Sequence, residues 1–530
     1  MLHMRKCLLV VVVACLYLGE CRAAHASAPE ANPPNVLLIL ADDLGYGDVR
    51  CLNPNGKIPT PNLDRLAAAG MVFTDAHATS SVCTPSRYSI LTGRYNWRSR
   101  LQSGVLGGLS PRLIEDGRLT VASMLSARGY ATACLGKWHL GMDWARQPGK
   151  SVAELDIESA GQVRNVDFSQ SIRNGPTTLG FDYFFGISAS LDMVPYTFIE
   201  NDRVVALPTE DRRFPMKPGG GGQTRRGPGA PDFEAEQVLP TLTRHAADFI
   251  AQRAPAAKQG KPFFLYLPLN APHTPILPAP EWRGKSGINA YADFVMQTDW
   301  TIGQVLEALD RNGLASNTLV IATSDNGCSP SADFKELAAK GHHPSHVFRG
   351  AKADIFDGGH RIPFTARWPG HVPSGTRSDQ LICLVDFMAT MADVLGVALP
   401  ANAAEDSVNI LPALLGRAGR PLREALVHHS INGSFAIRQG NWKLELCPDS
   451  GGWSAPTPGS AEAKRLPATQ LYDLHTDIAE QRNLADDHPE IVARLTMLLE
   501  RYVADGRSTP GPVQTNAVEI RIRKQPAKAS

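Results

Sequence analysis

Two aspartates stand side by side at Asp42 and Asp43, and an aspartate and an asparagine at Asp325 and Asn326. All four are oxygen donors, and no second histidine or cysteine accompanies them at the spacing of a zinc site. Such a donor set suits a hard cation, Ca²⁺ before Mg²⁺. Arg87, Lys137 and Lys352, with His139 and His273, are the residue types that would hold a tetrahedral oxyanion over the ion and move protons around it. A metal, a cationic clamp and two imidazoles are what group transfer from sulfate or phosphate requires. What this set lacks is a nucleophile.

The elements that must position these residues are legible as apolar runs. NVLLILA (35–41) leads into Asp42-Asp43, and YATACLG (130–136) into Lys137-Trp138-His139. PFFLYLPL (262–269) leads to Asn270-Ala271-Pro272-His273, and TLVIAT (318–323) to Ser324-Asp325-Asn326-Gly327. Continuous apolar runs of this length read as strands buried on both faces. Between them, TPNLDRLAAAG, LTVASMLSARG and YADFVMQTDWTIGQVLEALDRNG carry helical patterns, the last stopped by Gly313. Strands alternating with helices predict an α/β fold around a large, mainly parallel or mixed sheet, in which ligands bind beyond the carboxyl ends of the strands. Taken singly, an aspartate after a strand is a turn or cap former, and a loop lysine or histidine is commonly structural. Four such clusters at one sheet edge are not explained that way.

The 530 residues suffice for one large domain and a smaller one, and a net charge of +1 with no basic block excludes nucleic acid as a partner. An anionic ligand must therefore be held by a few placed cations. Arg5 and Lys6 precede the apolar run 7–18, and Ala24-His25-Ala26 offers a cleavage site. This predicts a signal peptide over 1–26, a secreted or periplasmic product and no stable membrane insertion once the signal is gone; a short membrane anchor is the alternative reading. Glu20 argues against lipidation at Cys21. Three of the nine cysteines leave with the signal. The other six are scattered without a CxxC pair and indicate neither a zinc site nor a disulfide scaffold.

One of those six, Cys83, sits in SSVCTPSRYSILTG (80–93). A soft thiolate is a poor partner for an oxygen-ligated cation, so this residue need not act as a cysteine. Cys83-Thr84-Pro85-Ser86-Arg87 resembles the signature of the type I sulfatases, members of the alkaline phosphatase superfamily. That family oxidises the cysteine of a C-x-P-x-R core to Cα-formylglycine, whose hydrated form binds Ca²⁺ and attacks sulfur. NVLLILADDLGYGD, GKWHLG (136–141), APHTP (271–275), SDNG (324–327) and LYDLHTDIAEQRNLA (471–485) resemble further family segments. FRGAKADIFDGGHRIPFTARWPG (348–370) does so with Ala351 and Ala353 where glycines are commoner around the lysine.

The resemblance implies a set of roles. Residue 83 is nucleophile and, with Asp42, Asp43, Asp325 and Asn326, a metal ligand. His273 protonates the departing alcohol, and His139 deprotonates the remaining hydroxyl to expel sulfate. Arg87 supports the diol and metal end, and Lys137 and Lys352 neutralise sulfate oxygens. It also implies a sulfated saccharide or aryl sulfate substrate and a formylglycine-generating or sulfatase-maturing enzyme as a partner in biogenesis. The rival readings are a formylglycine-dependent phosphonate monoester or phosphodiester hydrolase, and a non-catalytic binder of sulfated glycans.

The expected domains are a catalytic region over 34–415, an α+β subdomain over 416–510 with short antiparallel strands and a helix near His488–Asp505, and a loose tail over 511–530. PGGGGQTRRGPGA (218–230) is too glycine-rich for a regular element and reads as a flexible loop, or a flap whose Arg225 or Arg226 meets an anionic substrate. His428 and His429 read as strand-surface residues, or as lining of the substrate end of the cleft.

Overall fold

The computed structural model describes residues 33–524. The expected signal over 1–26 lies outside the described residues, as do residues 525–530. Among the described residues no helix is long and apolar enough to cross a membrane.

The strand Asn35–Ala41 is buried along its whole length. It pairs in parallel with Phe263–Pro268 on one side and Thr318–Ser324 on the other, with Ile39 opposite Leu267 and Ala322. Ala131–Lys137 adds in parallel to Phe263–Pro268, and Tyr183–Ile187 to Ala131–Lys137. Antiparallel additions extend it, Phe364–Arg367 and Met71–Phe73 on one flank and Ile199–Glu200 and Arg203–Val204 on the other, and Thr376–Ser378, parallel to Met71–Phe73, completes a ten-stranded mixed sheet at the first edge. The four strands that lead into the polar clusters are thus adjacent and parallel, so their carboxyl ends share one edge.

Alternation along the central strand builds two cores, because successive side chains leave opposite faces. Leu37 and Ile39 join a core with Leu242, Ile250, Ile302 and Leu306, from helices Val238–Ala257 and Ala290–Arg311. Val36, Leu38 and Leu40 join the other, with Tyr88, Ile90 and Leu91 of helix Cys83–Thr92 and Met391 of helix Phe387–Val394. The result is a sheet covered by helices on both faces.

A separate four-stranded antiparallel sheet runs Leu426–His429, Phe435–Gln439, Trp442–Glu445, Gln470–Asp473. Leu495 and Leu499 of helix Pro489–Ala504 pack on Val427, Ile437 and Leu444 of this sheet, together with Trp97 and Val385 from the larger region. Arg98 ties the two regions. Its guanidinium donates to both oxygens of Asp406 at 2.8 and 2.9 Å, to the Tyr502 carbonyl and to Asn516.

Three expectations are corrected. The glycine-rich segment does hold structure: Gly220–Gln223 pairs with Pro215–Lys217, and Gly227–Gly229 with Glu210–Arg212. Positive φ at Gly219 and Gly220 closes the tight turn between the first two strands, a conformation only glycine adopts without strain. His428 and His429 are buried, not on the strand surface. The tail expected to be loose is partly docked, with the carbonyl of Thr515 accepting from Arg94 and Ala517 N–H donating to the Arg98 carbonyl.

Arg98 and Asp406 are both fully buried, so removing one strands the other. Asp406→Ala should cost about 3–5 kcal/mol, read as a lower denaturant midpoint; an unchanged midpoint would mean that the seam does not depend on this pair.

Candidate active site

Each residue of the site is delivered by the end of a strand or the start of a helix. Asp42 and Asp43 follow the central strand, and Asp43 has a positive φ of 66°. That turn is held by Leu44 N–H donating to Ser324 Oγ at 3.0 Å and Gly45 N–H to Asp48 Oδ2 at 2.7 Å. Cys83 is the first residue of helix Cys83–Thr92, entered from extended Val82 and ended by left-handed Gly93. All ten residues of this helix are buried, so its C-T-P-S-R start is fixed by packing on every side.

The charges interlock. Arg87 donates twice to Asp325 Oδ2, at 2.8 and 3.0 Å, and once to the Lys137 carbonyl at 2.7 Å. Lys137 Nζ meets Asp42 Oδ2 at 2.5 Å, and Lys352 Nζ meets Asp43 Oδ1 at 2.7 Å. Asn326 Nδ2 donates to Asp43 Oδ1 at 2.7 Å. Burial alone would raise the Asp42 carboxyl, but Lys137, His273 and Arg87 hold it well below the usual range. Asp325 is pushed up by burial and by Asp42 beside it, against the pull of Arg87. Lys352 is held above its ordinary value by Asp43 although burial opposes this. The Cys83 thiol is raised by burial, with Lys137 and Lys352 opposing.

The two histidines are oriented differently. His139, with φ of 56°, places Nε2 2.8 Å from the Leu106 carbonyl, so that nitrogen carries the proton. Its Nδ1 is then a lone pair, buried and without a partner. Burial, then Lys137 and Arg87, hold His139 well below the usual imidazole range. His273 points Nδ1 at the Thr274 carbonyl, 2.6 Å away, and leaves Nε2 3.7 Å from Asp43 Oδ2. Burial and Lys352 lower it, while Asp42 and Asp43 raise it.

The donor set fits a cation. Asp42 Oδ1 and Asn326 Oδ1 are buried acceptors with no partner in the protein, a costly state unless something electropositive faces them. Ligand atoms of Asp42, Asp43 and His273 lie within 4.8 Å of one another. The three carboxylates Asp42, Asp43 and Asp325 balance Arg87, Lys137 and Lys352. A divalent cation would leave two positive charges for an anionic substrate.

All ten residues singled out in the sequence meet here. Arg225 and Arg226 do not: they pair with Asp192 and Asp211. Sequence reasoning missed Asp48, which receives Tyr291 Oη and His342 Nε2 behind the Asp43 turn. Asp48 stands in the quoted DDLGYGD stretch, but its partners are hundreds of positions away. The Leu106 carbonyl, which sets the His139 tautomer, leaves no side-chain signal at all.

A second buried group, His77, His360 and His428, lies where the two sheets meet. His77 Nε2 donates to Asp75 at 2.8 Å, the Nδ1 atoms of His77 and His360 lie 3.0 Å apart, and His360 Nε2 lies 3.0 Å from the Ile355 carbonyl and 3.3 Å from Lys443 Nζ. The rings of His360 and His428 stack at 3.7 Å. Burial holds all three imidazoles below their usual range, and Lys443 Nζ beside His360 sets a positive charge against the group. Cys51, Cys83, Cys134, Cys328, Cys383 and Cys447 are unpaired.

A buried oxygen cluster, a cationic clamp and two imidazoles at the carboxyl edge of this sheet define a hydrolase of oxyanion esters. The chain belongs to the sulfatases: the Sulfatase family model matches residues 34–397. An N-acetylgalactosamine-6-O-sulfatase of Bacteroides thetaiotaomicron is 35% identical, over 89% of this chain and 93% of that protein. Human arylsulfatase A is 33% identical over 93% and 92%. A solved chain from work on the metabolism of multiple glycosaminoglycans by Bacteroides thetaiotaomicron superposes with a TM-score of 0.75 at 34% identity, covering 89% of this chain and 99% of that one.

Proposed function

We propose that this sulfatase releases sulfate from a sulfated saccharide, with aryl sulfates as surrogate substrates, using Cys83 converted to Cα-formylglycine and a calcium ion at Asp42, Asp43, Asp325 and Asn326. The observation that carries the reading is the interlocked cluster: Cys83 opens a buried helix whose Arg87 reaches Asp325, while Lys137 and Lys352 reach Asp42 and Asp43. The N-acetylgalactosamine-6-O-sulfatase among its relatives makes a 6-sulfated amino sugar the first substrate to try. Catalysis is assigned to residues 34–415, and export to the segment 1–26.

Formylglycine at position 83, when hydrated, would supply one hydroxyl for attack on sulfur and a second whose deprotonation would release sulfate and restore the aldehyde; calcium, held by Asp42, Asp43, Asp325 and Asn326, would supply positive charge. Lys137 and Lys352 face the sulfate oxygens and neutralise charge as the S–O bond breaks. His273, fixed through Nδ1 by the Thr274 carbonyl, presents Nε2 to the departing oxygen; as the imidazolium, which Asp42 and Asp43 favour, it gives that oxygen the Nε2 proton and is left as the neutral Nδ1–H tautomer. His139, fixed through Nε2 by the Leu106 carbonyl, presents the Nδ1 lone pair and takes a proton from the remaining hydroxyl. Its depressed basicity keeps that lone pair free at neutral pH.

Three measurements test this. Conversion of the Cys83 thiol to an aldehyde removes roughly 18 Da, so the mass of its peptide should show the loss in active protein, and Cys83→Ala should abolish turnover. An unmodified thiol in fully active enzyme would sink the nucleophile. EDTA should remove activity and calcium restore it; restoration by zinc alone would contradict the ligand assignment.

The third concerns leaving groups. A sugar alkoxide departs poorly without a proton, whereas an activated aryl oxide leaves unaided. His273→Ala should therefore slow a sulfated sugar by about 10²–10⁴-fold and an activated aryl sulfate much less, with metal content checked in both. An equal loss on both would leave His273 as a sulfate-binding residue. Faster turnover of a phosphonate monoester than of any sulfate ester would favour the rival hydrolase.

A further inference from the structure

Beside His139 lies a group of polar atoms that the reaction does not use. Glu158 is 5% exposed, and neither of its carboxylate oxygens has a well-formed hydrogen bond within the protein. Ser190 Oγ and Asp192 Oδ1 are likewise buried without partners. Unpaired buried acceptors of this kind are expensive, and where they persist they commonly serve a ligand.

Their placement ties them to the reaction centre. His139 N–H donates to the Ser188 carbonyl at 2.9 Å, and Trp138 N–H to the Ile187 carbonyl at 3.0 Å. The segment 188–192, which carries Ser190 and Asp192, therefore leaves its strand alongside Lys137-Trp138-His139. On the other flank, Leu106 holds the His139 ring through its carbonyl. The Glu158 carboxylate packs against the next residue so closely that a Cβ on Gly107 would lie 2.1 Å from Oε2. One segment that braces His139 thus carries a carboxylate, Asp192, and the other has one, Glu158, packed against it.

The charge of this wall is specific. Arg225 donates to Asp192 Oδ2 at 2.7 Å and leaves Oδ1 free. Burial raises the Glu158 carboxyl, the amides of Glu158 and Leu109 and the Arg225 guanidinium lower it, and Asp192 raises it again. Two carboxyl groups stand near one guanidinium, which is bonded to Asp192, so the surface is rich in acceptors and disfavours anions.

We propose that Glu158, Ser190 and Asp192 form the sugar-recognising wall of this site, accepting hydrogen bonds from hydroxyl or acetamido N–H groups of a saccharide ring that is uncharged apart from its sulfate. A uronic acid edge presented to the same wall would be repelled. The inference rests on the saccharide-sulfate reading above and narrows it.

Binding can be measured without turnover in the Cys83→Ala protein, by calorimetric titration with N-acetylgalactosamine 6-sulfate and, separately, inorganic sulfate. Adding Glu158→Gln should weaken the sugar sulfate by about 10–100-fold, the worth of a hydrogen bond to a charged group, and inorganic sulfate by less than about twofold on the same scale. Ser190→Ala, which removes one buried hydroxyl, should act in the same direction to a smaller extent, and decides the matter if Glu158→Gln does not fold. Equal weakening of both probes, no weakening of either, or a sugar sulfate that binds no tighter than sulfate itself overturns the assignment. Failure of the unmutated enzyme to hydrolyse the sugar sulfate would count instead against the proposed reaction.

Discussion

Three carboxylates buried within one small volume set the constraint on which the rest of this structure depends. Asp42, Asp43 and Asp325 stand at the carboxyl ends of neighbouring parallel strands, where desolvation and mutual repulsion both oppose ionisation. They are tolerated because Arg87, Lys137 and Lys352 arrive from three other elements, Arg87 reaching Asp325 and Asp42, Lys137 reaching Asp42 and Lys352 reaching Asp43. Breaking any contact would leave a buried charge unpaired, so the sheet, helix Cys83–Thr92 and the loop around Lys352 must be held together tightly.

That requirement explains several features outside the site. The helix that presents Cys83 and Arg87 is buried on all sides, and its far end leads to Arg98, which binds Asp406, Tyr502 and Asn516 at once. Behind the Asp43 turn, Asp48 collects Tyr291 and His342 and keeps a left-handed aspartate in place. The antiparallel C-terminal sheet contributes through charge as well as packing. Its Lys443 reaches Asp357 and Glu480, and its Arg438 reaches Asp75. These buried ion pairs fix how the loops carrying Lys352 and Cys83 approach the large sheet.

The two histidines show how backbone carbonyls divide labour between identical side chains. A carbonyl at Nε2 of His139 leaves a bare Nδ1, whereas a carbonyl at Nδ1 of His273 turns Nε2 toward the acids. The bare Nδ1 of His139 suits a proposed base, while His273 acts as the proposed acid only when charged, the form that Asp42 and Asp43 beside it favour, and no change of residue type is needed to obtain the difference.

The strands and the residues of the cluster were legible in the sequence because both leave local signals. Apolar runs such as NVLLILA and TLVIAT end where their polar clusters begin, and C-T-P-S-R is contiguous. Even there the pattern misled where burial was not local: His428 and His429 sit in a short strand that reads as half-exposed, yet His428 stacks on His360, and a run of glycines formed a hairpin. Only the tertiary structure decided which carboxylate each cation meets, which imidazole nitrogen is free, and that polar atoms of Glu158, Ser190 and Asp192 are left without side-chain partners near His139. These outcomes depend on contacts between positions far apart in the chain and on main-chain carbonyls that every residue carries, and neither has a signature in residue type or spacing.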